Sequence, residues 1–113
     1  MTNIVTGWTE QSFKAYLLVY AAQSNQVETE DEKDFIALNF EDELLKKVYK
    51  EIKNDNDYDR IQKIMSFVKE KKYSNDDLKK ILDELKEMYL CDGSFDMAEQ
   101  MIFNSLKRLL KVT

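Results

Sequence analysis

Two stretches of this chain share one layout: LLVYAAQSNQVETED at residues 17–31 and LKEMYLCDGSFDMAE at residues 85–99. In each stretch an apolar helical pattern runs into a short polar segment, and a second helical pattern follows. Each copy then places an apolar residue, an acidic residue and, three positions further on, a second acidic residue. These are Val27, Glu28 and Asp31 in the first copy and Phe95, Asp96 and Glu99 in the second. The layout predicts two related helix-turn-helix units that arose by duplication.

The composition favours helices over strands. The 113 residues include no proline and only two glycines, and 43% of them are apolar. Proline and glycine weaken helix interiors, so their scarcity suits helices, and the apolar fraction is sufficient for a packed core. We therefore expect a single helical domain over residues 1–113, with residues 1–8 as an N-terminal extension.

Charge and cysteine content narrow the partners and the compartment. The formal net charge is −5, so neither nucleic acid nor an anionic membrane surface is an expected partner. The apolar run at residues 16–22 is too short to span a bilayer, and residues 1–8 lack the pattern of a secretory signal. Cys91 is the single cysteine, so no intramolecular disulfide is expected. A cytoplasmic protein is the simplest expectation.

Six helices can be placed from their capping residues. The predicted N-caps are Thr9, Thr29, Asn39, Ser74 and Asp96, and the fourth helix is expected to begin near Asp57. Two of these caps, Thr29 and Ser74, have the capping-box pattern with Glu32 and Asp77, in which the capping side chain and a carboxylate three residues later each accept from the other residue's backbone N–H. Asp96 with Glu99 is expected to start the sixth helix. Gly93 is expected to end the fifth helix in a left-handed conformation.

The apolar spacing predicts which face each helix buries. The residues expected inside are Phe13, Tyr16, Leu17 and Tyr20 in the first helix; Phe35, Ile36 and Leu38 in the second; Leu44, Leu45, Val48 and Ile52 in the third; Tyr58, Ile61, Ile64, Met65 and Val68 in the fourth; Leu78, Ile81, Leu82, Leu85, Met88 and Tyr89 in the fifth; and Met101, Ile102, Leu106, Leu109 and Leu110 in the sixth. Cys91 is expected to be buried or half-buried. The predicted fold class is all-α, a single compact bundle of about six helices built around two related helix-turn-helix units.

The junctions resemble those of the TerB-like family, small all-helical bacterial proteins associated with tellurite resistance and stress responses. The resemblance lies in the segment CDGSFD at residues 91–96 with Glu99, where a helix ends in an Ala-Asp-Gly type of turn and an acidic helix start follows. The first copy has Ser24 and Asn25 where the family has Asp-Gly. The resemblance implies a non-enzymatic interaction or stress-response module.

The same resemblance implies a divalent metal site. Asp92, Asp96 and Glu99 match acidic positions of the family, and their carboxylate oxygens are ligands that suit calcium or magnesium. Ser24 stands at the position equivalent to Asp92, so the first copy lacks one of these ligands. The alternative is that the acidic residues only cap the helices and favour the positive end of the helix dipole.

Enzymatic functions lack their usual residues in this sequence. The chain has no histidine, the commonest general base, and too few glycines for a phosphate-binding loop. We therefore expect no enzyme activity. A metal-dependent hydrolase is retained as a third hypothesis only because carboxylates can hold magnesium.

A purely structural protein that self-associates without a ligand is the alternative of another class. Ile4, Val5 and Trp8 could form an apolar edge for a protein partner or a second copy, or Trp8 could pack on the body of the fold. A basic cluster near the end of the chain either complements the negative end of the last helix dipole or contacts an acidic partner. Its members are Lys107, Arg108 and Lys111.

Overall fold

Helices begin where the sequence places its capping residues and continue along its apolar faces. The computed structural model of the chain describes residues 7–24, 29–91 and 96–111. Within those ranges there are six helices and no strand. In chain order they are α1 (Glu10–Ser24), α2 (Glu30–Asn39), α3 (Asp42–Asn54), α4 (Asp57–Lys71), α5 (Asn75–Leu90) and α6 (Met97–Leu109). The all-α class is confirmed, whereas the relation between two helix-turn-helix units stays a prediction.

Four of the predicted N-caps are confirmed by hydrogen bonds. In each case the capping oxygen accepts from the backbone N–H three residues further on, which satisfies an amide that has no partner within the helix. These caps are Thr9, Thr29, Ser74 and Asp96. The start predicted for the fourth helix is also correct, and Asn56 caps it.

The capping role predicted for Asn39 is wrong. Asn39 is the last residue of α2, and its side-chain amide donates to the carbonyl oxygen of Phe35 at 2.7 Å. Its side chain therefore closes the preceding turn, a local alternative that competes with capping. The residue before α3 is Glu41, which makes no side-chain capping bond.

Helix α1 is the centre of the bundle. It packs against all five other helices. Its eight buried residues are Phe13, Ala15, Tyr16, Leu17, Leu18, Val19, Ala21 and Ala22. The prediction that α1 buries one face is therefore too narrow. Three alanines and Val19 fall outside the three-then-four spacing and are buried as well, so α1 packs against its neighbours on more than one side.

Helix α5 buries the face predicted for it, and α3 does so with one exception. All six predicted residues of α5 are buried, from Leu78 to Tyr89. In α3, Leu45, Val48 and Ile52 are buried and Leu44 is half-buried against the core. These two helices have polar residues between clear apolar positions, so the spacing allows only one inner face.

Three other helices depart from their predicted faces. In α4, Tyr58 is 70% exposed, and Phe67, which the spacing missed, is buried. Phe67 stacks on Phe13 with 4.8 Å between ring centroids, so α4 is turned to bring this ring inward. Leu38 in α2 and two residues of α6 are also exposed. The exposed pair in α6 is Met101 and Leu109.

Trp8 packs on the body of the fold, one of the two arrangements that the sequence left open. Its ring centroid lies 4.5 Å from that of Tyr16 and 5.9 Å from that of Phe67. The radius of gyration of 13.3 Å matches the roughly 13 Å expected for one compact globule of this length. The bundle therefore closes around α1.

Candidate functional site

The starts of α2 and α6 have the same hydrogen-bond geometry. At α2, Oγ1 of Thr29 accepts from the N–H of Glu32 at 3.1 Å, and Oε1 of Glu32 accepts from the N–H of Thr29 at 3.0 Å. At α6, Oδ1 of Asp96 accepts from the N–H of Glu99 at 2.8 Å, and Oε1 of Glu99 accepts from the N–H of Asp96 at 3.1 Å. Each box anchors a glutamate in a fixed place relative to its helix.

Burial distinguishes these two boxes from the third. Glu32 is 1% exposed and Glu99 is 3% exposed, and they are the buried charged residues among those that the structure describes. Asp77, the matching carboxylate at the start of α5, is exposed. A carboxylate in a capping box is ordinarily solvated, and burying one costs free energy that hydrogen bonds or a nearby positive charge must offset. The burial of Glu32 and Glu99 is therefore a specific feature of the two junctions.

Tyr89 is a buried phenol that the charges of both buried glutamates influence. Its hydroxyl donates to the carbonyl oxygen of Ala21, in the last turn of α1, at 2.9 Å. Burial raises the pKa of this phenol, and the negative charges of Glu32 and Glu99 raise it further. Both carboxylates therefore act on one hydroxyl, although they start helices that are far apart in sequence.

The metal ligands expected from the resemblance are only partly described. Asp92 lies outside the described residues, as do Glu28 and the left-handed turn predicted at Gly93. Asp96 and Glu99 are brought together by their shared capping box. Among the described residues no group of three acidic, histidine or cysteine side chains is arranged to hold a metal ion. The set of Asp92, Asp96 and Glu99 therefore stays a prediction.

Sequence reasoning missed Glu32 as a site residue. The alignment of the two copies paired Asp31 with Glu99, but the structure gives Glu32 the position that corresponds to Glu99, and Asp31 is exposed in the first turn. The alignment was displaced by one residue because it followed acidity rather than capping geometry. The capping box between Thr29 and Glu32 was the signal that could have corrected it.

A second polar cluster joins the N-terminal segment to α3 and α4. Nζ of Lys63 lies 2.7 Å from Oδ2 of Asp55 and 2.8 Å from Oε2 of Glu51. The hydroxyl of Tyr16 donates to Asp55 at 2.8 Å, and Nε1 of Trp8 donates to Glu51 at 3.1 Å. Each of the two carboxylates thus accepts from Lys63 and from one aromatic side chain.

The pKa shifts in this cluster indicate a structural role. Burial lowers the pKa of Lys63, but hydrogen bonds to Asp55 and Glu51 outweigh it, and the net pKa is raised. Burial and the hydrogen bond to Asp55 raise the pKa of Tyr16. Both pKa values move away from neutral pH, whereas a general acid or base needs a pKa near it. The cluster therefore fixes the charged state of Lys63 and ties three segments together.

The burial predicted for Cys91 is wrong. Cys91 is exposed at the C-cap of α5, which ends at Leu90. Its thiol is therefore open to solvent beside the α5–α6 junction.

The chain has no detectable relatives in three comparisons. No protein-family model matches it, and no curated protein or solved structure gives a significant match. In the part of the chain that the structure describes, no helix is both long enough and apolar enough to cross a membrane. The TerB-like resemblance accordingly remains a prediction from the junction residues.

Proposed function

We propose that this chain is a non-enzymatic, cytoplasmic interaction or stress-response module of the TerB-like kind, and that its acidic helix starts take a divalent cation. The observation that carries the proposal is the burial of Glu32 and Glu99, whose charges both raise the pKa of Tyr89. Two buried carboxylates near one hydroxyl repel each other, and a cation between or beside them would offset that repulsion.

The ligand chemistry supports a hard cation. Carboxylate and backbone oxygens are the ligands of calcium and magnesium, and the chain contains no histidine to favour zinc. Asp92, Asp96 and Glu99 are the residues that would hold the cation, and Glu32 contributes negative charge from the other junction. The capping boxes hold the two glutamates in place, which lowers the entropy cost of assembling a site.

Thermal unfolding tests this function. In protein stripped with EDTA, added calcium or magnesium is expected to raise the Tm by about 10 °C at a concentration about 100 times the Kd, because the cation binds only the folded state. Glu99→Gln keeps the size of the side chain and removes its charge, and it should abolish most of that rise. Each variant is compared with itself in EDTA, so a lower starting Tm does not affect the result.

The matched control is Asp77→Asn, which alters the exposed capping box of α5. This variant should keep the full cation-dependent rise. No rise at millimolar calcium or magnesium would contradict the proposal. An equal rise in Glu99→Gln and in the unaltered protein would contradict it as well.

A further inference from the structure

Lys14 lies between two carboxylates without a hydrogen bond to either. Its Nζ is 3.8 Å from Oε1 of Glu10 and 3.7 Å from Oε1 of Glu84, beyond hydrogen-bond distance, and its side chain is 22% exposed. Lys63 is shielded to a similar extent, at 19% exposed, yet two carboxylates accept from it at 2.7 and 2.8 Å. Among the described residues no acceptor takes a hydrogen bond from the three N–H donors of Lys14, so this ammonium is available to an acceptor from outside the chain.

Lys14 lines a cavity of about 250 Å³ formed by residues of α1, α2 and α5 with the C-cap of α2. Three apolar side chains contribute to its lining. Leu18 is buried, and Phe35 and Phe40 are half-buried. The volume is below the roughly 300–1,000 Å³ of pockets that hold drug-sized ligands, so the cavity suits a smaller molecule. That molecule can place one apolar group on the two phenyl rings.

The side of the cavity that α5 contributes is acidic. Glu84 and Glu87 line it one turn apart, about 4.5 Å along the helix axis. Glu84 is the distant partner of Lys14, whereas Glu87 is exposed and forms no ion pair with any residue that the structure describes. The cavity therefore offers a cation without a hydrogen bond and, one turn of α5 further on, an unpaired carboxylate.

We propose that this cavity binds a free α-amino acid with an apolar side chain, such as leucine. The ligand carboxylate accepts from Lys14, its ammonium group donates to Glu87, and its side chain lies on the phenyl rings of α2 and its C-cap. A simple anion would meet the two glutamates, and a simple cation would meet Lys14, so each would be repelled by one side of the cavity. A ligand that carries both charges pairs with both sides, and charge-assisted hydrogen bonds offset its desolvation.

A second cavity that Lys14 also lines fits such a ligand less well. Its volume is about 260 Å³, and its carboxylates are those of Glu10 and Asp77. Both already have partners, since Glu10 pairs with Lys14 and Asp77 accepts from the backbone N–H of Ser74 in the capping box. Lys80 is exposed and lines this second cavity. It therefore supplies a matched control, a lysine on α5 that does not line the first cavity.

NMR titration of ¹⁵N-labelled protein with leucine, valine and phenylalanine in EDTA tests the site. At least one of these amino acids should shift the amide signals of Leu18 and Asn39, which line the cavity, with a Kd between about 0.1 and 1 mM. Two analogues of leucine test the two charges separately. Leucinamide lacks the carboxylate and 4-methylpentanoate lacks the ammonium group, and each should bind about tenfold or more weakly than leucine.

Three variants test the residues that carry the inference. Lys14→Gln and Glu87→Gln each remove one charge that the ligand needs, and each should weaken binding about tenfold or more. Lys80→Gln should bind as the unaltered protein does. No saturable shift with any of the three amino acids at about ten times the upper Kd would overturn the inference. Equal binding of leucine and either analogue would overturn it too, as would equal effects of Lys14→Gln and Lys80→Gln.

The amino-acid site goes beyond the proposed function and does not depend on it. Neither Glu32 nor Glu99 lines the cavity, and no divalent cation takes part in the binding. Because EDTA is present throughout the titration, a failure to bind amino acids leaves the cation test separately decidable. Conversely, a protein that binds leucine in EDTA but shows no cation-dependent Tm would refute only the cation.

Discussion

At the scale of single residues, Lys63 pairs with two carboxylates that would otherwise repel each other. Asp55 and Glu51 lie one turn apart on α3 and its C-cap, and both contact Nζ of Lys63 at less than 3 Å. Tyr16 and Trp8 complete the hydrogen bonding of the two carboxylates. A cation in this position is stabilising because its removal leaves half-buried carboxylates that repel each other.

Lys63→Met should therefore lower the free energy of unfolding by about 2 kcal/mol, as measured by urea denaturation. The control is Lys33→Met, whose partner Glu30 lies 3.8 Å away at the exposed start of α2, and it should change the free energy by less than about 0.5 kcal/mol. Equal small effects would contradict the structural role of the cluster.

The pH dependence of this difference follows from the raised pKa of Lys63. A raised pKa in the folded state means that the stabilisation is fully present below the ordinary value of 10.5 and is lost as the pH rises through the folded-state value. The difference between Lys63→Met and the unaltered protein should therefore be constant across neutral pH and shrink only in strong alkali.

At the scale of helices, α4 buries a different face from the one that the sequence pattern predicts. Tyr58 and Phe67 are both aromatic and both compatible with a helical stripe, yet only Phe67 is buried. Phe67 lies among Trp8, Phe13 and Tyr73, with ring centroids 4.8 to 6.3 Å apart. The rotation of α4 is thus set by aromatic packing against α1 and the N-terminal segment.

Phe67→Ala should destabilise the protein by about 3 kcal/mol or more, since it leaves a cavity among closely packed rings. Tyr58→Ala should change the free energy of unfolding by less than about 0.5 kcal/mol. Chemical denaturation of the two variants measures both values. If Tyr58→Ala were the more damaging substitution, the orientation of α4 would be wrong.

At the scale of the whole molecule, the sequence predicts helices and caps better than it predicts what is buried. The six residues of the α5 face are correct because polar residues separate them clearly. The central position of α1 was missed because alanine fits either a core or a surface. Burial of Glu32 and Glu99 could not be predicted either, since a capping carboxylate such as Asp77 is locally identical and remains exposed. Only the packing of helices distant in sequence distinguishes these positions.

In the candidate site, too, the sequence predicts local capping but not which residues the packing of distant helices buries. Local chemistry predicted that Asp96 and Glu99 start α6, and in the structure they do so as a capping box. The influence of both Glu32 and Glu99 on the same phenol depends on α2 and α6 each packing against α5, which no local pattern encodes. The exposure of Met101 and Leu109 on α6 was missed for a related reason, because apolar residues at helical spacing were assigned to the core.

A double-mutant cycle on Glu32→Gln and Glu99→Gln tests most directly whether the two junctions converge. Free energies of unfolding are measured in EDTA at neutral pH for both single variants and the double variant. Because either substitution alone removes the mutual repulsion, the double variant should be less stable than the sum of the single effects predicts, by more than about 0.5 kcal/mol. The pair of Glu99→Gln and Asp77→Asn should be additive within that limit. Additivity for Glu32 and Glu99 as well would show that the two carboxylates do not interact, and would contradict a shared site at Tyr89.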